Sequence, residues 1–125
     1  MDRIDCLVAI LPCNDLDRSE AFYARLGFHR APGQEAWQQT YRILSRPDGA
    51  RLHLRKSEPG WLPPDRNPFG LYLYTREVAA LAASLRAEII GGDGPEETAW
   101  GTLEFALSDP DGTLVRIGQP VPEKS

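Results

Sequence analysis

One stretch decides the fold of this chain: Ser108-Asp109-Pro110-Asp111-Gly112-Thr113-Leu114-Val115-Arg116-Ile117. Its pattern occurs a second time as Ser45-Arg46-Pro47-Asp48-Gly49-Ala50-Arg51-Leu52-His53-Leu54. In each copy proline fixes φ, aspartate hydrogen-bonds its own backbone and glycine permits a positive φ, so Pro-Asp-Gly predicts a tight hairpin turn. The copies start 63 residues apart in a chain of 125 residues. Two matching turns half a chain apart predict an internal duplication, and therefore two similar modules.

Composition and charge narrow the classes of protein to consider. With 125 residues, 42% of them hydrophobic and 26% charged, the chain has the size and balance of one globular domain. No apolar run approaches the roughly 20 residues of a membrane span, so no membrane partner is expected. A net charge of −4 argues against a nucleic-acid partner, which would favour a basic face. The acidic start, Met1–Asp5, lacks the cleavage site of a secretory signal, and a cytoplasmic location is expected.

The two cysteines, Cys6 and Cys13, are not expected to form a disulfide. Their spacing of seven residues places them on opposite faces of a single strand, where their side chains point apart. They also lack the short Cys-x-x-Cys spacing of zinc and redox sites. We therefore expect both to be reduced residues of the core.

The first half of the chain, about residues 4–56, predicts a β-α-β-β-β module. Ile4–Cys13 is apolar at both parities over most of its length, which is typical of a strand buried on both faces. A helix is predicted over Asp17–Leu26, because Asp17 and Glu20 have the spacing of a capping box. Three further strands are predicted in the segments Phe28–Ala31, Trp37–Leu44 and Arg51–Arg55.

The second half, about residues 70–119, predicts the same order of elements after a linker of residues 57–69. The linker holds four prolines and is expected to lack regular structure. A strand at Gly70–Tyr74 precedes a helix that Thr75 can cap, and a short strand is expected to be hidden by the weak signal after Gly91. Two alternating runs complete the module, at residues 102–107 and 113–117.

Alternation along the strands divides their side chains between two faces. If one set of apolar side chains packs beneath the helices, the opposite parity faces the concave side of a curled sheet; that apolar set is Leu52, Leu54, Leu71, Leu73, Val115 and Ile117. That side would carry Val8, Arg51, His53, Arg55, Tyr72, Tyr74, Glu104, Leu114 and Arg116. A structural protein gains little from so many polar groups inside a curled sheet. The alternative is an ordinary solvated outer face, since antiparallel strands commonly alternate in this way.

Two sets of residues resemble a known superfamily. Leu16-Asp17-Arg18-Ser19-Glu20-Ala21-Phe22-Tyr23, followed by Leu26-Gly27-Phe28, resembles the first helix of the vicinal oxygen chelate superfamily of glyoxalases, dioxygenases and bleomycin resistance proteins. Trp100-Gly101-Thr102, then Asp109 to Leu114 and Arg116, looks most like the bleomycin resistance branch. The resemblance implies an α+β fold, in which two β-α-β-β-β modules form curled mixed sheets around a cleft. It also implies one domain over residues 1–125 and a homodimer.

Enzymes of this superfamily hold a divalent metal with His or Glu at four strand positions. Carried over by position, these are Val8, His53, about Gly70 and Arg116. The duplication independently pairs His53 with Arg116, because the two are 63 residues apart. Three of the four residues cannot bind a metal, whereas a catalytic metal needs about three protein ligands. The resemblance therefore implies no metal site and no cofactor.

The resulting hypothesis is a bleomycin resistance-like protein that sequesters a planar drug or metabolite without catalysis. The resemblance implies that Trp100 stacks on the planar rings of such a drug. The candidate ligand-binding residues are Trp37, Tyr41, His53, Arg55, Trp61, Tyr72, Trp100, Glu104 and Arg116. Drugs of this kind are cationic and their binders have acidic clefts. The predicted face offers three arginines against Glu104 alone, which leaves an anionic or neutral planar ligand open.

Two other functions remain open from the sequence. One is a metal-dependent enzyme of the glyoxalase or dioxygenase type, which would use His53, Glu104 and a third, unrecognised ligand. The other is a protein–protein interaction module whose cleft is filled by its own side chains. No Ser-His-Asp arrangement, phosphate-binding glycine loop or dinucleotide fingerprint supports a further class of enzyme.

Overall fold

A computed structural model describes residues 5–121, which form two α-helices and two four-stranded mixed sheets. The chain divides into two compact units, with the boundary between Pro63 and Pro64. Each unit contains one helix and one sheet in the order β-α-β-β-β. The predicted α+β fold of two repeated modules is therefore confirmed. No helix within residues 5–121 is long and apolar enough to cross a membrane.

Unit 1 is built on a sheet with the strand order β1-β4-β3-β2. Strand β1 runs parallel to β4, and the other pairs are antiparallel. Its elements are β1 (Ile10–Cys13), α1 (Leu16–Ala24), β2 (His29–Arg30), β3 (Tyr41–Ser45) and β4 (Arg51–Lys56). One face of the sheet packs with α1, since β4 contacts that helix. The core of the unit contains Leu11, Cys13, Leu16, Tyr23, Leu26, Leu44, Leu52 and Leu54.

The N-terminal segment differs from its prediction. Strand β1 begins only at Ile10, where the ladder with β4 begins. Cys6 is exposed and Leu7 is 100% exposed, so the prediction of a strand buried on both faces is wrong for residues 5–9. Ile4, where that predicted strand began, lies outside the described residues. Cys13 is a buried core residue, as expected, but Cys6 is exposed and does not belong to the core.

Helix α1 also begins differently. Its N-cap is Asp15, whose side chain accepts a hydrogen bond from the Arg18 amide at 3.2 Å, so the predicted cap at Asp17 is wrong. Glu20 does not return to the backbone as a capping box would require. Its carboxylate instead accepts hydrogen bonds from Arg30 at 2.9 Å and from Arg42 at 2.7 Å. The acidic spacing predicted the helix correctly but assigned its cap to the wrong aspartate.

The predicted strand over Trp37–Leu44 is shorter in the structure, because its first residues form a turn. Ala36–Gln39 is a 3-10 helix, and β3 begins at Tyr41. The side chain of Gln38 accepts a hydrogen bond from the Glu35 amide at 2.8 Å, which closes this turn. Polar residues that bond locally in this way compete with a strand ladder.

Unit 2 repeats the plan with the strand order β5-β8-β7-β6. Its elements are β5 (Gly70–Tyr74), α2 (Val78–Ser84), β6 (Glu96–Glu97), β7 (Thr102–Ser108) and β8 (Leu114–Pro120). The expected short strand is β6. Helix α2 is preceded by Glu77, not Thr75 as predicted, although the Thr75 hydroxyl accepts a hydrogen bond from the Glu77 amide at 3.1 Å. The core of this unit contains Leu73, Val78, Leu81, Leu85, Phe105, Leu107, Val115 and Ile117.

Both Pro-Asp-Gly sequences form the predicted hairpin turns, with φ of +98° at Gly49 and +82° at Gly112. The second turn is enclosed by the segment before β5. The Asn67 side-chain amide donates to the carbonyl of Asp111 at 3.0 Å and to the hydroxyl of Thr113 at 2.8 Å. This segment includes a 3-10 helix at Pro64–Arg66, so the expectation that residues 57–69 lack all regular structure is wrong.

Candidate ligand-binding site

The sheet of unit 2 presents polar and aromatic side chains on the face opposite its apolar core. Tyr72 of β5 lies level with Arg116 of β8, and Glu104 of β7 lies level with Gly118 of β8. Residues two apart on a strand share a face, so Tyr72, Glu104 and Arg116 are on the same side of the sheet. The intervening residues, such as Ile117, are buried on the other side. The face predicted from alternation is therefore present in unit 2.

Glu104 lies at the centre of this face and is only 6% exposed. Its Oε2 accepts hydrogen bonds from the Tyr72 hydroxyl at 2.5 Å, the Thr102 hydroxyl at 2.8 Å and the Trp100 indole Nε1 at 3.1 Å. Its Oε1 lies 3.6 Å from the guanidinium of Arg116. Four side chains from three segments thus converge on one carboxylate, which we call the Glu104 cluster.

Hydrogen bonding and burial set the protonation states in the Glu104 cluster. The hydrogen bond from Tyr72 lowers the pKa of Glu104, and those from Trp100 and Thr102 act in the same direction against the opposing effect of burial. Burial, together with the hydrogen bond to Glu104, raises the pKa of Tyr72 to about 12. At neutral pH the cluster therefore holds a carboxylate as acceptor and an intact phenol as donor.

A cavity of about 250 Å³ lies beside the Glu104 cluster. Trp100 forms part of its wall, with 69% of its surface exposed. The charged residues that line the cavity are Asp93, Glu96, Glu97, Glu104 and Arg116. Four carboxylates against one guanidinium favour a cationic ligand. The volume is at the small end for a ligand pocket, so it suits one ring system or one arm of a larger molecule.

Sequence reasoning missed three of these carboxylates. Asp93 lies in a glycine-rich loop, and Glu96 and Glu97 form the very short strand β6, where periodicity gives no signal. The available signal was local composition, since Asp93-Gly94-Pro95-Glu96-Glu97 holds three acids within five residues. The prediction of three arginines against one carboxylate therefore does not describe this cavity, which contains only one arginine in its lining.

Unit 1 has a smaller set of polar side chains at the corresponding place in its own sheet. The Tyr41 hydroxyl and His53 Nδ1 share a hydrogen bond of 2.7 Å, and the two rings meet edge to face at 5.4 Å. Arg55 lies level with Tyr41 in the ladder and is exposed. Ile10 and Ile43, which lie level with His53 on either side, are 58% and 46% exposed.

The other two predicted tryptophans lie outside both sheets. Trp37 is in the 3-10 helix before β3 and is 48% exposed. Trp61 is in the loop after β4 and is 58% exposed. Neither indole ring makes a hydrogen bond or ring contact within residues 5–121. Unit 2 thus joins Tyr72, Trp100, Glu104 and Arg116, and unit 1 places Tyr41, His53 and Arg55 side by side.

The four positions that the resemblance implies for a metal do not fit one here. Val8 and Gly70 have no donor side chain, and the guanidinium of Arg116 would repel a cation. His53 uses Nδ1 for its hydrogen bond with Tyr41. Over the described residues 5–121, no group of three or more His, Cys, Asp or Glu side chains could hold a metal ion.

Comparisons with known proteins identify the family. The model of the Glyoxalase/Bleomycin resistance protein/Dioxygenase superfamily matches residues 3–117. A bleomycin resistance protein of Klebsiella pneumoniae is 33% identical over an alignment of 117 residues, and the match covers 87% of this chain and 87% of that protein. A bleomycin-binding protein solved with bleomycin is 32% identical, with a TM-score of 0.72 over 92% of this chain and 98% of that one. The bleomycin resistance determinant of transposon Tn5 is also 32% identical, with a TM-score of 0.73 over 93% and 98%. The chain therefore belongs to the Glyoxalase/Bleomycin resistance protein/Dioxygenase superfamily.

Proposed function

We propose that this protein binds and sequesters a planar, cationic drug of the bleomycin class, without catalysing a reaction. The observation that carries the proposal is the exposed indole of Trp100, which lies at the wall of a cavity with four carboxylates and one guanidinium. An aromatic face attracts both flat rings and cations. The bleomycin resistance and bleomycin-binding relatives, at 32–33% identity, support the same ligand class.

Sequestration requires binding but no reaction. The residues of the site agree with this, because they do not supply the ligands that a catalytic metal needs. The alternative is a metal-dependent enzyme of the same superfamily. That activity would need about three protein ligands, and the family's metal positions offer only His53. No group in the Glu104 cluster replaces the missing ligands, because its carboxylate is already occupied by three hydrogen bonds and an arginine.

We also propose a homodimer that acts in the cytoplasm. Leu7, Ile10 and Ile43 expose 100%, 58% and 46% of their surfaces, and a second copy of the chain would remove such apolar area from water. Neither Cys6 nor Cys13 is part of a disulfide, which suits a reducing compartment. Sedimentation equilibrium tests the dimer, and Ile43→Asp is expected to shift it to a monomer.

Calorimetric titration with metal-free bleomycin tests the proposed ligand. We expect saturable binding with a Kd of about 1 μM or below, and an affinity that falls as salt is raised, because the cavity is acidic. Trp100→Ala is expected to weaken binding roughly tenfold or more, as loss of a stacked aromatic anchor does. Ser84→Ala, on an exposed position at the end of α2, is the control and should bind like the unaltered protein.

Two results would reject the proposal. The first is the absence of binding by the folded, unaltered protein. The second is an affinity that Trp100→Ala leaves unchanged, since the indole is the feature on which the proposal depends. A divalent metal retained in stoichiometric amount by protein purified without chelator would instead favour the metal-dependent alternative.

A further inference from the structure

We propose that Glu104 is a positioning residue, which holds the ring of Trp100 in the orientation that receives a planar ligand. This inference rests on the proposed function for the identity of the ligand. It concerns a different property, however, because it states that the binding surface is ordered before any ligand arrives. A surface that is already ordered binds more tightly, since less side-chain freedom is lost on binding.

The first observation is how little else holds the indole. Trp100 is 69% exposed, so packing restrains its ring weakly. It sits in the tight turn before β7, where the Gly101 amide donates to the Thr98 carbonyl at 3.3 Å and Gly101 has a φ of +88°. Within the part of the chain that the structure describes, the only hydrogen bond of the indole goes to Glu104 Oε2, at 3.1 Å.

The second observation is that the acceptor is itself fixed. Glu104 is 6% exposed, and its Oε2 also accepts hydrogen bonds from the hydroxyls of Thr102 and Tyr72. Its Oε1 faces Arg116. The ring of Tyr72 in turn lies 4.4 Å from the ring of Tyr74. One buried carboxylate therefore sets the direction of an exposed indole and ties it to a pair of tyrosine rings.

The third observation separates positioning from simple attraction of charge. The carboxylate of Glu104 is partly neutralised by Arg116 and is surrounded by three donors. Asp93, Glu96 and Glu97 line the same cavity and supply its remaining negative charge. Because other residues provide the charge, Glu104 contributes mainly the direction of its hydrogen bonds. A neutral side chain of the same shape should therefore keep much of its effect.

Nitrogen-15 NMR of the ligand-free protein tests this directly. Each of the three tryptophans gives one indole N–H signal, and Trp100→Phe identifies the signal of Trp100 by removing it. In Glu104→Ala we expect this signal to move upfield and its hydrogen exchange with water to become about tenfold faster, because the hydrogen bond is lost. Glu104→Gln retains an acceptor oxygen and should give an intermediate position. Glu97→Gln removes one carboxylate from the cavity without touching the indole and should leave the signal in place.

Titration with metal-free bleomycin then connects the ring to binding. We expect the Kd to rise about tenfold in Glu104→Ala and only about threefold in Glu104→Gln, which corresponds to the cost of ordering one large side chain. The midpoint of thermal unfolding is measured for each variant together with its Kd. If Glu104→Ala does not fold, the comparison of Glu104→Gln with the unaltered protein still decides the question through the indole signal.

Two outcomes would overturn the inference. One is an unchanged Trp100 signal in folded Glu104→Ala. The other is a loss of affinity in Glu104→Gln as large as in Glu104→Ala while the indole signal of Glu104→Gln is unmoved, since charge would then be the contribution of Glu104. Failure of the unaltered protein to bind bleomycin rejects the proposed function alone, because the ligand-free spectra still judge the positioning of the ring.

Discussion

The two units place different chemistry at the same points of the same sheet. Tyr41 and Glu104 are 63 residues apart and hold equivalent positions on β3 and β7, as do His53 and Arg116 on β4 and β8. In unit 1 the two residues, Tyr41 and His53, share a hydrogen bond of 2.7 Å between the hydroxyl and the ring nitrogen Nδ1. In unit 2 the two residues form an ion pair at 3.6 Å, to which three further donors are added. The repeated backbone therefore conserves positions, while the side chains decide which unit carries a cluster.

The difference between the two units depends on the residues that lie beside each pair on the neighbouring strands. Tyr72 lies level with Arg116, as Ile10 lies level with His53, but only the tyrosine can donate to a carboxylate. Gly118 lies level with Glu104 where unit 1 has Arg55. A Cβ at Gly118 would overlap the hydroxyl oxygen of Tyr72. The absent side chain therefore leaves room for the tyrosine to reach across β8 to Glu104.

The largest effect is expected from the two hairpin turns. Gly49→Ala and Gly112→Ala both put a methyl group at a positive φ, which costs about 1–2 kcal/mol. The new Cβ at Gly49 meets nothing within 4 Å, whereas at Gly112 it would overlap the backbone oxygen of Pro64. Overpacking against a backbone atom adds about 1–3 kcal/mol, so we expect Gly112→Ala to lose about 3 kcal/mol or more of the free energy of unfolding.

Urea denaturation of the two glycine variants measures the difference. Gly49→Ala is the matched control, since it has the same turn sequence and the same strain in φ without the close neighbour. Equal losses in both variants would contradict the close approach of Pro64 to the second turn. They would also mean that the two turns are equivalent in packing as well as in sequence.

A smaller effect is expected when each tyrosine loses its hydroxyl. Tyr72→Phe removes a hydrogen bond of 2.5 Å to a buried carboxylate, and bonds to charged groups contribute about 1.5–3 kcal/mol. Tyr41→Phe removes a half-buried bond to His53 and should cost about 0.5–1 kcal/mol. Thermal and urea unfolding of both variants compare the two costs directly. A larger loss in Tyr41→Phe would reverse the ranking of the two clusters.

Much of the fold follows from periodicity and turn chemistry alone. The repeated Pro-Asp-Gly sequence correctly predicted both hairpins, and alternation correctly divided β7 and β8 between a buried and a polar face. The 63-residue offset also predicted that His53 and Arg116 are equivalent, and each lies in the central strand that pairs with the first strand of its unit. These features are local, or repeat at a fixed interval, so neighbouring residues are sufficient to reveal them.

The features that sequence reasoning missed depend on contacts that no local pattern encodes. Apolar residues before Ile10 suggested a buried strand, but the ladder with β4 begins only at that residue. Trp37 lies in a turn because Gln38 bonds the Glu35 amide. Alternation places Glu104 on the polar face, but it does not reveal hydrogen bonds to partners such as Tyr72, 32 residues away. Such convergence requires the three-dimensional register of the strands.

The smallest effect is expected in alkaline solution, where the hydroxyl of Tyr72 should lose its proton late. Burial and the hydrogen bond to Glu104 raise the pKa of Tyr72 to about 12, from an ordinary value near 10. Because the folded protein holds this proton more tightly than the unfolded chain, the stability from Tyr72 is complete below about pH 10 and is lost between pH 10 and 12. Absorbance of phenolate at 295 nm should show a late-titrating component that Tyr72→Phe removes and that the control variant Tyr41→Phe retains. If Tyr72→Phe instead removed a tyrosine that titrates near pH 10, the hydroxyl of Tyr72 would not be held by Glu104, and unit 2 would have lost the feature that distinguishes it from unit 1.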